Sequence, residues 1–225
     1  MKAMILVLSS KECMNLLNGD LSVLVRRKFP KNYSGLVYAY CAEDRYSELC
    51  YFEDFGYRNT MVNHTHKLPS LNGKVAARFW CDKVEKIIDR ETKEKNYYSF
   101  GTESLQTDEL EKMSCLDIQE LCKYIGEGAR CLYGDYGRAI HIKPNSLDIF
   151  DKPKELWRFK TPKMAERYKY DLKKAREDHC EIGERIAEGV ANDDECANCV
   201  ELTEMSEYYY GLQRAPSNYC YVEAE

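Results

Sequence analysis

The sequence predicts an α+β fold, a small mixed β-barrel with short flanking helices and a C-terminal insertion, and three observations carry that expectation. Apolar runs of strand length recur at residues 4–8, 21–26, 35–43 and 75–81, separated by turns rich in glycine, proline and asparagine. Two capping-box spacings, Ser9 with Glu12 and Asp117 with Glu120, open short helices among them. The charge also changes sign at Glu177: basic residues dominate 152–176 and acidic ones 177–207, which separates that stretch from the strands around it. With 225 residues, 44% of them hydrophobic, the chain can bury one substantial core and carry an elaboration. We divide it into a barrel at 1–163, a charged insertion at 164–210 and a final strand at 211–225 that returns to the barrel.

In order along the chain, residues 4–8 form a strand, and the helix opened by Ser9 stops at Gly19. The Val- and Leu-rich segment 21–26 continues as a strand until Pro30 and the cluster at 32–35 break it. "GLVYAYCAE" alternates large and small apolar residues, as a strand between two different environments does. Residues 44–71 lack periodicity and are read as a long surface loop that carries His64 and His66. Extended character resumes at 73–89, with Val75, Ala77, Phe79 and Cys81 on one face and Arg78 and Trp80 on the other. The helix begun by Asp117 presents Ile118, Leu121, Cys122 and Ile125 as one stripe and ends at Gly126. "RAIHIKPNSLDIFDKPKEL" is a strand pair with a Pro-Asn-Ser turn, and "YCYVEAE" supplies the last strand.

Composition narrows the function classes. Eleven cysteines, an odd number scattered through helix-like and strand-like segments, with no cleavable leader in "MKAMILVL", point to a reducing, cytoplasmic setting. No apolar run approaches the roughly 20 residues that span a bilayer, so no membrane partner is expected. A net charge of -5 argues against bulk coating of nucleic acid, yet Arg26, Arg27, Lys28 and Lys31 form a local cationic burst directly after an apolar strand.

Several segments, in order, resemble one family: "MKAMILVLSS", the helix ending at Gly19, "VRRKFPKNYSGLVYAYC", "GKVAARFWCDKVEKI", "SCLDIQELCKYIG", "YGRAIHIKPNSLDIFDKPKEL" and "LQRAPSNYCYVE". Together they resemble the ASCH domain of the PUA-like superfamily, in its long form from phages and mobile elements. The resemblance implies a small PUA-like barrel, a cleft beside the Gly19 turn, and binding of RNA or modified nucleobases. It covers almost the whole chain apart from the loop near His64 and the acidic insertion. The family signature Gly-x-Lys-x-x-Glu-x-Arg falls on Gly19, Leu21, Leu24 and Arg26, so two of its four positions are apolar here. Amidohydrolases of the family are thought to use Lys, Thr and Glu around this turn. Leucine exchanges no proton, and Ser22, at the Thr position, keeps a hydroxyl without an adjacent base.

The expected function is therefore a catalytically degenerate binding protein that holds RNA, a nucleotide or a ribonucleoprotein in the barrel cleft near Arg26. Arg26 would supply a fork to phosphate, Arg27, Lys28 and Lys31 a positioning rim, and Tyr33, Tyr38 and Tyr40 stacking surfaces. The alternative for these residues is a solvated strand end and barrel aromatics. The basic stretch 152–176 would extend the groove or form an exposed helix paired with the acidic insertion. An enzyme, a nucleoside amidohydrolase or a ribonuclease, is a second class, with Ser22, His141 or Glu43 recruited as replacement groups. A third is a protein-binding inhibitor of host defence, of the anti-CRISPR kind, whose acidic insertion mimics nucleic-acid charge and docks on a basic host protein. Cys196 and Cys199 have zinc-ligand spacing, with Cys180 upstream, but a structural zinc needs a fourth ligand. His179 is adjacent to Cys180 and Cys220 lies in the final strand, so free cysteines are the competing reading. His64 and His66 are a loop feature, and His141, between Ile140 and Ile142, is a hydrogen-bonded core or cleft histidine.

Overall fold

The computed structural model describes residues 2–61, 69–89, 100–125, 137–178 and 210–224. In chain order these form β1 (Lys2–Leu8), α1 (Ser10–Leu17), β2 (Val23–Arg26), β3 (Gly35–Cys41), β4 (Ser47–Phe52), β5 (Gly56–Met61), β6 (Lys74–Lys86), β7 (Ile88–Asp89) and β8 (Phe100–Gly101). There follow α2 (Thr107–Ser114), α3 (Ile118–Ile125), β9 (Arg138–Ile142), β10 (Asp148–Glu155), a 3₁₀ turn Leu156–Arg158, α4 (Pro162–Asp178) and β11 (Tyr219–Glu223). Among the described residues no helix is long and apolar enough to cross a membrane.

Both expected capping boxes form. Ser9 N–H donates to Glu12 Oε2 at 2.9 Å, and Glu12 N–H donates to Ser9 Oγ at 3.3 Å. Before α3, Asp117 N–H donates to Glu120 Oε2 at 3.2 Å, and Glu120 N–H donates to Asp117 Oδ1 at 2.8 Å. Each satisfies N–H groups that a helix start otherwise leaves orphaned. Gly19, at φ +81°, turns the chain out of α1 in a conformation that a side chain would oppose.

The main sheet is seven-stranded and mixed, in the order β11-β1-β3-β6-β9-β2, with β10 also on β6. Among the described residues only β1 and β3 pair in parallel within it, and α1 and β2, which lie between them in sequence, form the crossover. Both strands are apolar on successive residues because both of their faces are covered. Met4, Leu6, Leu8, Val37, Ala39 and Cys41 enter one core, while Ala3, Ile5, Tyr38 and Tyr40 enter another with Leu156, Phe159 and Val222. The large-small alternation of "GLVYAYC" thus does separate two environments. On β2, Leu24 joins the first core, whereas Val23 and Val25 join a third under Leu110, Leu121 and Ile125 of α2 and α3.

Two expectations are corrected. Residues 44–71 are not simply a loop: β4 and β5 pair as an antiparallel hairpin, which lacks a sequence signal because the buried Leu49 and Cys50 are adjacent and the apolar Tyr51 and Met61 stay exposed, so polarity does not alternate. The strands β9 and β10 do not pair with each other; they take different lengths of the 13-residue β6, β10 at Lys74 to Arg78 and β9 at Cys81 to Lys86. Of the expected barrel the described residues show the mixed sheet and no closure, since β2 and β11 end the pairing path and no ladder joins them. Side chains span the gap instead: Arg26 Nη2 on β2 donates to Val7 O on β1 at 2.8 Å, and Asn218 Nδ2, just before β11, donates to Lys28 O, just after β2, at 2.9 Å. β2 is only four residues long and gives way to the Pro30 turn, which leaves no strand to complete a ladder.

Candidate functional site

The Gly19 turn is packed on two sides. Asn18 uses its whole amide on the hairpin, accepting from Tyr57 N–H at 3.0 Å through Oδ1 and donating to Tyr57 O at 3.0 Å through Nδ2. Leu21 and Leu24 are 5% and 1% exposed and belong to the core beneath α1. Ser22 is half-buried with its backbone held on both sides: its N–H donates to Met113 O at 3.0 Å, and its carbonyl accepts from Ile142 N–H at 2.9 Å.

Arg26 is a buried strut, only 5% exposed. Its Nη1 donates to Glu12 Oε1 at 2.5 Å and to Val25 O at 2.7 Å, and its Nη2 donates to Val7 O at 2.8 Å and Glu12 Oε2 at 3.2 Å. The guanidinium also lies 5.7 Å from the Tyr124 ring centroid. A fork so occupied reaches an external phosphate only by leaving a buried carboxylate unpaired. Glu12 had shown itself in sequence only as a capping residue; nothing local announces that its second oxygen faces an arginine 14 positions on.

The rest of the cationic burst points outward, with Arg27, Lys28 and Lys31 all exposed. The tyrosines divide. Tyr38 is fully buried, its ring 4.8 Å from Phe159, and is closed to a base. Tyr33 is half-buried, donates its hydroxyl to Leu36 O at 2.6 Å and stands edge-on to Phe29 at 5.8 Å. Tyr40 borders an open cleft.

That cleft, of about 440 Å³, is lined by Val7, Tyr40, Glu43, Trp157, Gln213 and Arg214 among others. One wall, residues 212–215, is fastened to the 3₁₀ turn, where Leu212 N–H donates to Phe159 O at 2.9 Å. Gly211 makes this possible, because a Cβ there would come within 1.6 Å of Trp157 O. On the other side Glu43 rests on Gly73, whose added Cβ would lie 3.1 Å from Glu43 Oε1. Burial, then the nearby Glu43 carboxylate, then Cys41 and Glu155, push the Tyr40 hydroxyl above its ordinary value, so it stays a neutral donor. Lys74 Nζ stands 3.7 Å from Glu155 Oε1 at the same edge. Trp157, Gln213 and Arg214 were not singled out in the sequence, where they lie in motif-like segments more than fifty residues apart.

His141 lies at the edge of the core under α2. Its Nε2 is 2.6 Å from Glu85 Oε2, and the same oxygen accepts from Ser104 Oγ at 2.6 Å and Thr102 Oγ1 at 3.1 Å. Burial alone would raise the Glu85 carboxyl, but Ser104, His141, Thr102 and Lys83 together hold it below the usual carboxylate range. For His141 burial outweighs the attraction of Glu85, so its pKa is lowered and the imidazole is neutral near pH 7. His141 thus stands within ion-pair distance of Glu85, yet its buried Nε2 makes no hydrogen bond among the described residues, unlike the hydrogen-bonded histidine expected, and Glu85, with Lys83 and Ser104 around it, is a neighbour that sequence reading missed.

Cys180, Cys196 and Cys199, with His179, lie outside the described residues, as do His64, His66 and Gly126. Cys220 is on β11, where burial pushes its thiol up to about 11. A thiol held neutral in this way is a poor metal ligand at neutral pH. Among the described residues no three His, Cys, Asp or Glu side chains form a metal-holding group.

No protein-family model matches the chain, and no curated protein matches it.

Proposed function

We propose that this protein binds RNA or a nucleotide, as an ASCH-type, PUA-like barrel whose hydrolytic chemistry has been lost. The observation that carries the reading is the exposed cationic loop of Arg27, Lys28 and Lys31, linked by Asn218 to the same C-terminal segment that walls the cleft. Cations on that loop would neutralise phosphates while the cleft takes a base, the division of labour expected of single-strand recognition. The resemblance of the ordered segments to ASCH domains supports the same reading, as does a sheet whose gap is spanned by Arg26 and Asn218 in the manner of an opened barrel. Loss of chemistry follows from Leu21 and Leu24, which are core residues at the positions where the family keeps proton-exchanging groups. A phage or mobile-element origin and a cytoplasmic setting belong to this reading.

An enzymatic reading has one observation in its favour, the His141–Glu85 pair. Ser104 and Thr102 donate to the carboxylate and not to the imidazole, an arrangement that braces a turn and activates neither hydroxyl.

The test is polarisation of a labelled short RNA across a salt series. Affinity should fall with salt, and neutralising Arg27, Lys28 and Lys31 to Gln should weaken binding by about tenfold or more and flatten the logarithmic salt slope by about 2. Undetectable binding at low salt, or a slope unmoved by the triple substitution, overturns the proposal.

A further inference from the structure

The cleft is more specific in its chemistry than a generic RNA groove. Its two carboxylates do different work: Glu155 has Lys74 at 3.7 Å, whereas Glu43 is seated on Gly73 and lines the cleft. A carboxylate is an acceptor only, with two oxygens side by side. Among the four RNA bases only guanine offers two adjacent donors on one edge, its ring N1–H and exocyclic N2 amino group. Adenine and cytosine place one amino donor beside a ring acceptor, and uracil flanks its single N–H with two carbonyl oxygens, which a carboxylate repels. Trp157 lines the same cleft, half-buried, with the Arg158 guanidinium 5.4 Å from its ring centroid. Arg214, exposed on the wall, is placed for a charge-assisted contact to a phosphate oxygen, and Gln213 beside it can both donate and accept.

We infer that this cleft is a guanine-selective nucleotide subsite, in which the base stacks on Trp157, its N1–H and N2 amino group donate to Glu43, and Arg214 holds the phosphate. The inference rests on the nucleotide-binding reading above and adds to it a base identity and a location. Its size suits the assignment, since pockets for small ligands run from about 300 to 1,000 Å³ and this one is about 440 Å³. One wall is built in advance of any ligand, since the approach of Gly211 to the Trp157 carbonyl leaves no room for a side chain, and Glu43 lies close over Gly73 on the other.

Tryptophan fluorescence tests it directly. The chain has two tryptophans, so a Trp80→Phe background leaves Trp157 as the sole reporter. GMP should quench that signal with an affinity at least about tenfold above those of AMP, CMP and UMP, the discrimination that one bidentate pair provides. Glu43→Gln, an exposed position where circular dichroism should show the fold intact, should erase the preference, and Trp157→Ala should weaken GMP binding measured by calorimetry about tenfold or more. Equal quenching by the four nucleotides, none by any of them at millimolar concentration, or a guanine preference that survives Glu43→Gln overturns the inference. Short-RNA polarisation separates the two proposals. RNA binding with no base preference removes the subsite alone, absence of both removes the parent reading as well, and GMP binding without RNA binding retains the subsite and removes the cationic rim.

Discussion

Glu12 serves two structures at once. One oxygen closes the capping box with Ser9, and both accept from the Arg26 guanidinium, with carboxylate and guanidinium side chains each only 6% exposed. A buried ion pair gains little over apolar packing, but removing one partner strands the other charge at a cost of about 3–5 kcal/mol. Arg26→Met should therefore lower unfolding stability by about that amount, as measured by urea denaturation, and adding Glu12→Leu should restore part of it. If Arg26→Met is instead neutral for stability and abolishes RNA binding, Arg26 is a ligand-binding cation and not a strut. The thiols at this scale are similarly committed to the interior: burial pushes Cys81 up to about 12, and a hydrogen bond with Cys41, then burial, hold Cys13 well above the usual thiol value.

At the scale of elements, Glu85 fastens the turn that leads into α2. It draws in His141 from β9 and the hydroxyls of Thr102 and Ser104, while Thr102 Oγ1 itself accepts from Leu105 N–H at 3.0 Å. This arrangement has a definite pH dependence. Glu85 has a depressed pKa when folded, so its stabilisation is present above the unfolded value of 4.5 and lost as pH falls through the folded one. His141 is also depressed, because burial favours the neutral ring, so the unfolded chain binds its proton first, near 6.5, and folding weakens below that. Both groups act in the same direction. Thermal melts should show the midpoint falling between about pH 7 and about pH 5, and His141→Gln should flatten that part of the profile. A variant with the slope of the parent would show that the histidine does not contribute it.

Across the whole molecule, the C-terminal segment decides the shape of both the sheet edge and the cleft. Residues 212–215 wall the cleft, Asn218 holds Lys28 O and accepts from Val7 N–H at 2.8 Å, and β11 completes the sheet against β1. The segment begins where Gly211 lies against the Trp157 carbonyl. Gly211→Ala should displace the segment, destabilise the fold by at least about 2 kcal/mol in urea, and speed proteolysis near the C-terminus more than elsewhere. Unchanged stability and cleavage would mean that the close approach is not needed to hold the segment.

What the sequence could determine by itself was local. The two capping boxes, the Gly19 turn, the doubly covered strand at 35–41 and the final strand each depend on residues within a few positions, where spacing and backbone preference act without help from the rest of the chain. The fate of the basic burst was not local. Arg26 is buried because Glu12 and Val7 O meet it across a sheet edge, while Arg27 and Lys28, equally charged and adjacent, face solvent. The cleft likewise joins Tyr40 and Glu43 to Trp157 and Arg214 through contacts spanning most of the chain. The β4–β5 hairpin is held by the Asn18 amide 39 residues before Tyr57. Only tertiary structure selects among such pairings, because burial and charge neutralisation are set by which distant elements meet, and one-dimensional periodicity records which face is apolar without recording what covers it.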